Sequence, residues 1–388
     1  MAIGSHLAER ARLMSSKEVE LRHQSRLWCD APPVVAGQGF VPVTEVRLVT
    51  SCTDGAGHRW QSQNGYLVSA GTTFATDTTA AVGDDYYGIA AEGPLYSMRC
   101  LERSPHEFVL PEDGRLSLKL QLLDGGEEVW SEETVRITSG EASGAGGLVW
   151  FLHNGESGAR HGISMLRARG FEVYERCVRV EEPDLDPFLD EMKQSAEPFH
   201  LVASGRSSEA ALELAQRLAK VKSVIVFSGS GLRFSPWKIE GRELPHVVCD
   251  HSTLQPRGQT VLSTRKIYAE AVADRTNRDL GRIEVEKINC PLYLFSGSDD
   301  QIWPSAAFSE LAAQRRKQHG QEEITTHRTF PSVGYDLGPV LGLPGLPTTE
   351  RTISHSSTGF RLLLGGKMGR QSRARRECWE RLVELLVV

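Results

Sequence analysis

The sequence predicts two domains of different class, an N-terminal all-β sandwich followed by an α/β domain with a doubly wound, mostly parallel sheet. Three observations carry this. A chain of 388 residues exceeds one ordinary core, so two domains are expected. From about Pro42 to Ile137 polar and apolar residues alternate with a period of two, the mark of half-buried strands. After a small, polar stretch at residues 139–147, continuous apolar runs begin to alternate with helical ones, as in a sheet covered on both faces. The expected boundaries are a lead at 1–28, a sandwich at 29–140 and an α/β domain at 141–388.

Each element has its own local reason. Val46-Arg47-Leu48-Val49 and Leu116-Ser117-Leu118-Lys119-Leu120-Gln121-Leu122 alternate, while Asp54-Gly55, Asp113-Gly114 and Asp124-Gly125-Gly126 supply tight-turn chemistry between such runs. Gly147–Leu152 then reads as a fully covered strand, and a helix at Ile163–Arg169 is ended by Gly170. Strand Phe171–Tyr174, helix Asp186–Gln194, strand His200–Ala203 and helix Ser208–Ala219 follow. Strands Ser223–Phe227, Pro291–Phe295 and Ile324–Pro331 come later, and a helix from about Arg373 to Leu386 closes the chain. Alternating strands and crossover helices imply a parallel sheet.

Composition excludes several function classes. Forty per cent hydrophobic and 24% charged residues describe an ordinary globular protein, and a net charge of -6 gives no reason to expect nucleic acid. Seven cysteines are scattered singly with no CxxC or His/Cys cluster, so neither a disulfide framework, a metal site nor a cofactor is expected, and reduced thiols suit the cytoplasm. No apolar run approaches the ~20 residues of a membrane helix. Met1–His6 lacks a signal core and reads as an added tag.

The chemistry concentrates at strand ends. Leu201-Val202-Ala203-Ser204-Gly205-Arg206-Ser207-Ser208-Glu209 runs from a strand directly into a helix, the setting of a nucleophile elbow, where a sharp turn exposes one side chain above the sheet. Ser207 is the candidate nucleophile, two residues after a glycine, although Ser207 or Ser208 would serve equally as a helix cap. Gly297-Ser298-Asp299-Asp300 ends a later strand and makes Asp300 the candidate acid. His153-Asn154-Gly155-Glu156-Ser157, after the domain's first strand, lies where oxyanion donors arise, with Asn154, Gly155 and the N–H of Ser208 as candidates. Oxyanion loop, serine, then aspartate is the order of an α/β-hydrolase. The histidine that should follow is missing: His319 falls in a helix, His327 inside the last strand and His355 beyond the next loop.

These residues resemble the acyl-CoA thioesterase and bile-acid-CoA:amino-acid N-acyltransferase family over nearly the whole chain. Gly93-Pro94-Leu95-Tyr96-Ser97-Met98 is similar to the family's Gly-Leu-Leu-Trp-Ser-Met stretch. Ser207-Ser208-Glu209-Ala210 is similar to its Ser/Cys-Lys-Gly-Ala segment, and Gly297-Ser298-Asp299-Asp300-Gln301-Ile302-Trp303 to its Gly-x-Asp-Asp-x-x-Trp. The resemblance implies an N-terminal immunoglobulin-like β-sandwich joined to an α/β-hydrolase domain. It also implies a Ser, Asp and His acting on a small acyl substrate carried on coenzyme A or a carrier protein. The family's Pro-x-x-Gly-His segment is here Pro331-Ser332-Val333-Gly334-Tyr335, so Tyr335 holds the histidine's place.

A serine needs a base with a pKa near neutrality, and tyrosine titrates near ~10. Removing the base of a triad costs on the order of 10⁶ in rate. Three readings stay open. His153 substitutes as base and Ser207 remains a thioesterase or acyltransferase nucleophile. Alternatively, the site runs a non-hydrolytic cyclisation, dehydration or elimination, with Tyr335 as acid and Asp300 as base. In the third, the chain is a pseudoenzyme that binds an acyl group or a partner. The segment Gly231–Arg282 sets the pocket, with Trp237, Tyr268 and Trp303 as candidate lining, and the sequence leaves substrate and oligomeric state open.

Overall fold

The structure, a computed structural model, describes all residues except 1–16, 23–27, 41–42, 69–72, 104–105, 141–145, 156–157, 254–260, 341, 355–359 and 388. Most of the expected lead and linker, with Glu156, Ser157 and His355, therefore lie outside the described residues. The chain divides into two units, residues 1–137 with 345–350, and residues 138–344 with 351–388. The short return at 345–350 is the feature that no single sequence boundary conveys.

The first unit is antiparallel. Its larger sheet runs in the order Glu127–Ile137, Arg115–Asp124, Glu45–Thr53, Arg59–Leu67, Ala81–Asp84, Tyr86–Gly88, with Arg99–Cys100 pairing on Arg59–Leu67. Alternation in the sequence becomes alternation in burial: Val46, Leu48, Thr50 and Cys52 are buried while Glu45, Arg47 and Thr53 are exposed. The tightest turn is Gly125-Gly126, both at positive φ (61° and 89°), which is the twist a two-residue hairpin loop requires. A second sheet joins Glu18–Arg22, Val34–Gln38 and Phe74–Ala75.

Residues 345–350 are tied to this unit by hydrogen bonds. The guanidinium of Arg136, fully buried, donates to Gly345 O at 2.9 Å, Ala31 O at 3.0 Å and Cys29 O. Thr349 Oγ1 donates to Met98 O at 2.6 Å. A Cβ at Gly345, which sits at φ 70°, would meet Cys29 O at 2.5 Å, so this approach needs glycine.

The second unit carries six parallel strands: β1 (Leu148–His153), β2 (Glu172–Cys177), β3 (Phe199–Ser204), β4 (Val221–Phe227), β5 (Leu292–Gly297) and β6 (Thr325–Phe330). Their spatial order is β2-β1-β3-β4-β5-β6, every pair parallel. All six residues of β3 are buried, His200 and Ser204 among them, as befits a strand covered on both faces. The covering helices include α1 (Ala159–Ala168), α2 (Asp186–Lys193), α3 (Ser207–Ala215), α4 (Arg265–Ala273), α5 (Arg275–Leu280), α6 (Ser305–Gln318) and α7 (Met368–Val387). This is a doubly wound α/β-hydrolase sheet. Strand order reverses between β1 and β3, and the carboxyl ends of strands at such a switch point frame a crevice. No described helix is long and apolar enough to cross a membrane.

Replacing Arg136 with methionine removes charge-assisted bonds from several buried carbonyls. The change should destabilise the first unit by about 3 kcal/mol in urea titrations monitored by circular dichroism.

Candidate active site

The strand-to-helix turn is two residues long. β3 ends at Ser204, α3 begins at Ser207, and between them Gly205 takes φ 55° while its N–H donates to Phe227 O on β4 at 2.8 Å. The left-handed residue of such a turn is the one presented above the sheet. The expectation for Ser207 is thereby corrected: the elbow residue is Gly205, and it carries no side chain. Ser207 is the first residue of α3, wholly buried, with Oγ 2.9 Å from Leu152 O and 2.8 Å from Ser204 O. Its hydroxyl donates to these backbone carbonyls and ties the elbow to β1.

Shifted by two, the pentapeptide at the elbow is Ala203-Ser204-Gly205-Arg206-Ser207. The nucleophile's place in Gly-x-Ser-x-Gly falls to Gly205, and the motif Ser/Cys-Lys-Gly-Ala-Glu then lies over Gly205-Arg206-Ser207-Ser208-Glu209. The expected role of Ser208 changes with the shift. Its N–H returns to Gly205 O at 3.2 Å and its Oγ donates to the same carbonyl at 2.6 Å, so neither faces a ligand. In the sequence Ser207 completes Gly-x-Ser with Gly205 as the turn-permitting glycine, and the structure puts the left-handed turn at that glycine.

Tyr335, on the loop after β6, fills the space above the elbow. A Cβ built on Gly205 would stand 1.8 Å from the Tyr335 hydroxyl, so any elbow side chain and this phenol compete for one volume. The Tyr335 backbone is held at both ends, its N–H donating to Leu364 O (2.9 Å) and its carbonyl accepting from Ser228 Oγ (2.5 Å). Its ring meets Trp303 edge-on with centroids 6.5 Å apart.

Asp300 lies at the end of β5, fully buried. Oδ1 accepts the N–H groups of Ile302 (2.9 Å) and Trp303 (3.2 Å), and Oδ2 has no hydrogen-bond partner. Burial pushes its carboxyl up to about 8, against the opposing pull of Ser305, those two N–H groups and Arg265. Asp300 thus holds its proton at neutral pH, which removes the role of base expected for it under the non-hydrolytic reading. The adjacent Asp299 is spent on structure, accepting Gly366 N–H at 2.9 Å.

His153 is committed elsewhere. Its Nδ1 accepts the N–H of Gly155 at 3.1 Å, which assigns the proton to Nε2, 3.0 Å from Glu175 Oε1 on β2. That arrangement corrects two expectations, because the ring has no free nitrogen to serve as base and the Gly155 N–H is no longer a free oxyanion donor. Asn154 beside it is exposed. His327 bonds Glu310 at 3.0 Å from within β6.

The residue that sequence reasoning passed over is Arg206. Its Nη2 donates to Tyr268 Oη on α4 at 2.6 Å and its Nη1 to Ser235 Oγ at 3.2 Å. The guanidinium carbon lies 5.6 Å from the Tyr268 ring centroid and 5.5 Å from that of Trp303. Phe234, Tyr268, Trp303 and Phe308 form one buried cluster with Tyr335 packed against it, whereas Trp237 belongs to the main core under the sheet. Glu209, buried on α3, anchors this wall. Its Oε2 accepts Phe234 N–H (3.0 Å), Ser235 N–H (3.1 Å) and Trp237 Nε1–H (3.1 Å).

Among the described residues no group of three or more His, Cys, Asp or Glu could hold a metal ion. Residues 189–387 match the family described as BAAT / Acyl-CoA thioester hydrolase C terminal. Across 93% of its length the chain is 20% identical to human acyl-coenzyme A thioesterase 6, covering 94% of that protein. It is 21% identical to mouse peroxisomal succinyl-coenzyme A thioesterase over 58% of this chain and 53% of that one. A solved acylaminoacyl peptidase from Pyrococcus horikoshii is 10% identical, covers 82% of this chain and 65% of its own, and superposes with a TM-score of 0.33.

Two measurements check this geometry. Gly205→Ala should destabilise by roughly 1–3 kcal/mol or more, from the positive φ and the overlap with Tyr335. In a Tyr335→Phe background, which removes the overlapping hydroxyl, it should cost about 1 kcal/mol less, read from a double-mutant cycle. Asp300 gives a pH signature. Its carboxyl moves from an ordinary 3.8 up to about 8, so folding takes up a proton between those values. Stability from this group is full below about pH 4 and falls by up to ~1.4 kcal/mol per pH unit as pH rises toward 8. Asp300→Asn should flatten that slope in denaturation curves collected from pH 4 to 8.5, and leave the variant more stable than the parent at pH 8.

Proposed function

Given that the chain belongs to the BAAT / acyl-CoA thioester hydrolase C-terminal family, we propose that it binds an acyl thioester at the carboxyl end of its parallel sheet without forming an acyl-enzyme. One observation carries this reading. The elbow residue is Gly205 at φ 55°, and the Tyr335 hydroxyl occupies the place of an elbow side chain. Nucleophile and histidine are both replaced, and only Asp300 of the expected triad keeps its residue type. Without nucleophile or base, the expected acceleration is no more than the ~10³–10⁴ that binding and oxyanion donors supply.

Any turnover at this site runs by proton transfer. Tyr335 is the group positioned to donate a proton or a hydrogen bond to an acyl oxygen above the elbow. The Arg206 cation is fixed on the same side by Tyr268 and Ser235. Cyclisation, dehydration and elimination on an acyl substrate would find their acid in Tyr335 but no base among the described residues of this site, so ligand binding without an acyl-enzyme is the reading the geometry supports best. Asp300, buried and protonated at neutral pH, brings no negative charge to this end of the sheet. Ser207 is a structural residue in this reading, and the sheets at 29–140 are the immunoglobulin-like sandwich of the family. Seven unpaired cysteines support a reducing, cytoplasmic setting.

Acyl-coenzyme A and acyl-pantetheine incubated with the purified chain should release no free thiol beyond about 10⁴ times the water rate, and a fluorophosphonate should leave Ser207 unlabelled. Gly205→Ser combined with Tyr335→His restores the side chains of a triad and should raise thiol release at least ~100-fold, while Gly205→Ser alone should not. Efficient hydrolysis by the parent that disappears in Ser207→Ala would overturn the reading.

A further inference from the structure

The solvent stripe of α7 carries its charges in the reverse of the order that the helix dipole favours. Lys367, just before the helix, and Arg370 and Arg373 in its first turns are exposed cations, followed by exposed Glu377, Glu380 and Glu384. The N-terminal end of a helix bears partial positive charge, so cations there and acids beyond them work against folding. The first turn of α7 holds no acid and the last turn no base. Helix stability therefore gives no reason for this order. Nor does composition, since the chain as a whole carries a net charge of -6.

Among the described residues no carboxylate pairs with Lys367, Arg370 or Arg373, nor with Arg265 at the start of α4. The acids nearby are engaged elsewhere: Glu377 with Arg328 at 2.9 Å, Glu380 with Arg376 at 3.9 Å, Glu270 with Lys266 at 3.5 Å, Asp336 with Arg351 and Arg375, and Asp299 with Gly366 N–H. Arg265 is half-exposed and anchored through Nη1, which donates to Asp300 O at 2.6 Å. The four cations meet beside the loop that carries Tyr335. Gly366 and Val333 form an antiparallel bridge, Lys367 N–H donates to Ser332 O at 2.9 Å, and Leu364 O accepts Tyr335 N–H at 2.9 Å. The Gln301 backbone ties in Arg265, its carbonyl accepting Arg265 N–H at 3.1 Å and its N–H donating to Leu364 O at 3.3 Å. From Ser332 to Tyr335 the chain spans at most about 11 Å.

We propose that Arg265, Lys367, Arg370 and Arg373 form a docking ridge for an acidic acyl-carrier protein, which delivers its thioester on a phosphopantetheine arm. The proposal rests on the reading of the carboxyl end of the sheet as an acyl-thioester site. Charge complementarity selects the partner. From Lys367 to Arg373 the ridge follows α7 for about 9 Å, at about 1.5 Å per residue, with Arg265 beyond it. Such an exposed row matches acidic side chains spaced along a partner's helix. A nucleotide carrier needs a flat face for its base, and residues 363–378 include no aromatic side chain.

The test uses the full chain and calorimetric titration with four probes. These are a butyryl-loaded type II acyl carrier protein, the same carrier without its arm, butyryl-coenzyme A, and uncharged butyryl-pantetheine. The loaded carrier should bind at least ~10-fold more tightly than butyryl-pantetheine, and its affinity should fall several-fold between about 50 and 300 mM salt. Arg370→Glu combined with Arg373→Glu should weaken the loaded carrier at least ~10-fold and flatten the salt dependence. It should leave butyryl-pantetheine within about twofold and cost no thermal stability, because the dipole then meets acids. Lys367→Ala should give a smaller loss in the same direction, which covers any misfolding of the double variant. Arg381→Glu, exposed on the same helix beyond the ridge, should leave carrier binding unchanged. Equal carrier affinity in the parent and the double variant, or an equal loss from Arg381→Glu, overturns the proposal. So does a loss of butyryl-coenzyme A affinity as large as the carrier's, which makes the ridge a phosphate site. If the carrier without its arm binds through the ridge while butyryl-pantetheine does not bind, the docking surface stands and the acyl-thioester reading falls. If butyryl-pantetheine binds and neither carrier form does, that reading stands and the docking surface falls. Absence of all binding overturns the docking surface.

Discussion

The hydrogen bond from Gly205 N–H to Phe227 O pins the end of β3 to β4 at the instant the chain turns left-handed toward α3. Glycine accepts that conformation without the strain an L side chain would bring. From this one turn the remaining geometry follows. Arg206 emerges above the sheet, Ser207 and Ser208 point back into carbonyls, and the space over the elbow is open to the Tyr335 phenol. The turn also sits beside the place where strand order reverses, so its surroundings are the carboxyl ends of β1, β3 and β4, where the fold offers a crevice.

Two buried acids near this turn show how the surroundings divide the electrostatic work. Asp300 has no cation at its carboxylate and is pushed toward its neutral form. Asp336, adjacent in sequence to Tyr335, is equally buried but lies between Arg351, at 2.5 and 2.7 Å, and Arg375. Burial opposes its charge, yet the two guanidiniums hold its carboxyl below the usual range. The charged cluster fixes the loop that carries Tyr335. Breaking a buried cluster of this kind leaves uncompensated charge, so the loop's position is insensitive to small perturbation.

Arg206 and Glu209 extend the same logic. Glu209 spends one oxygen on three N–H donors of the segment 234–237 and so shapes the aromatic wall. Its remaining oxygen faces Arg206 Nη1 at 3.9 Å and forms a loose ion pair with it. On the reading proposed above, the elbow carries no side chain for acyl transfer, and a phenol, a guanidinium and aromatic rings stand around it.

The sequence by itself determined the architecture. Period-two alternation in residues 45–53 and 115–124, and the continuous apolar run in 148–152, predict one-sided and two-sided burial, because burial follows side-chain periodicity. The order of the site loops was legible too, as was the substitution of Tyr335 for histidine. What only the tertiary structure decided is which residue occupies the elbow. Gly-Arg-Ser-Ser can be threaded onto the turn in more than one register; glycine permits the positive φ, but the cross-strand bond to Phe227 that selects the register has no local sequence signature. The fates of His153, Asp300 and Arg206 were hidden for the same reason. His153 and Arg206 are set by partners distant in sequence, Glu175 and Tyr268, Asp300 by its burial, and the candidate elbow serine becomes a buried tether through its bond to Leu152.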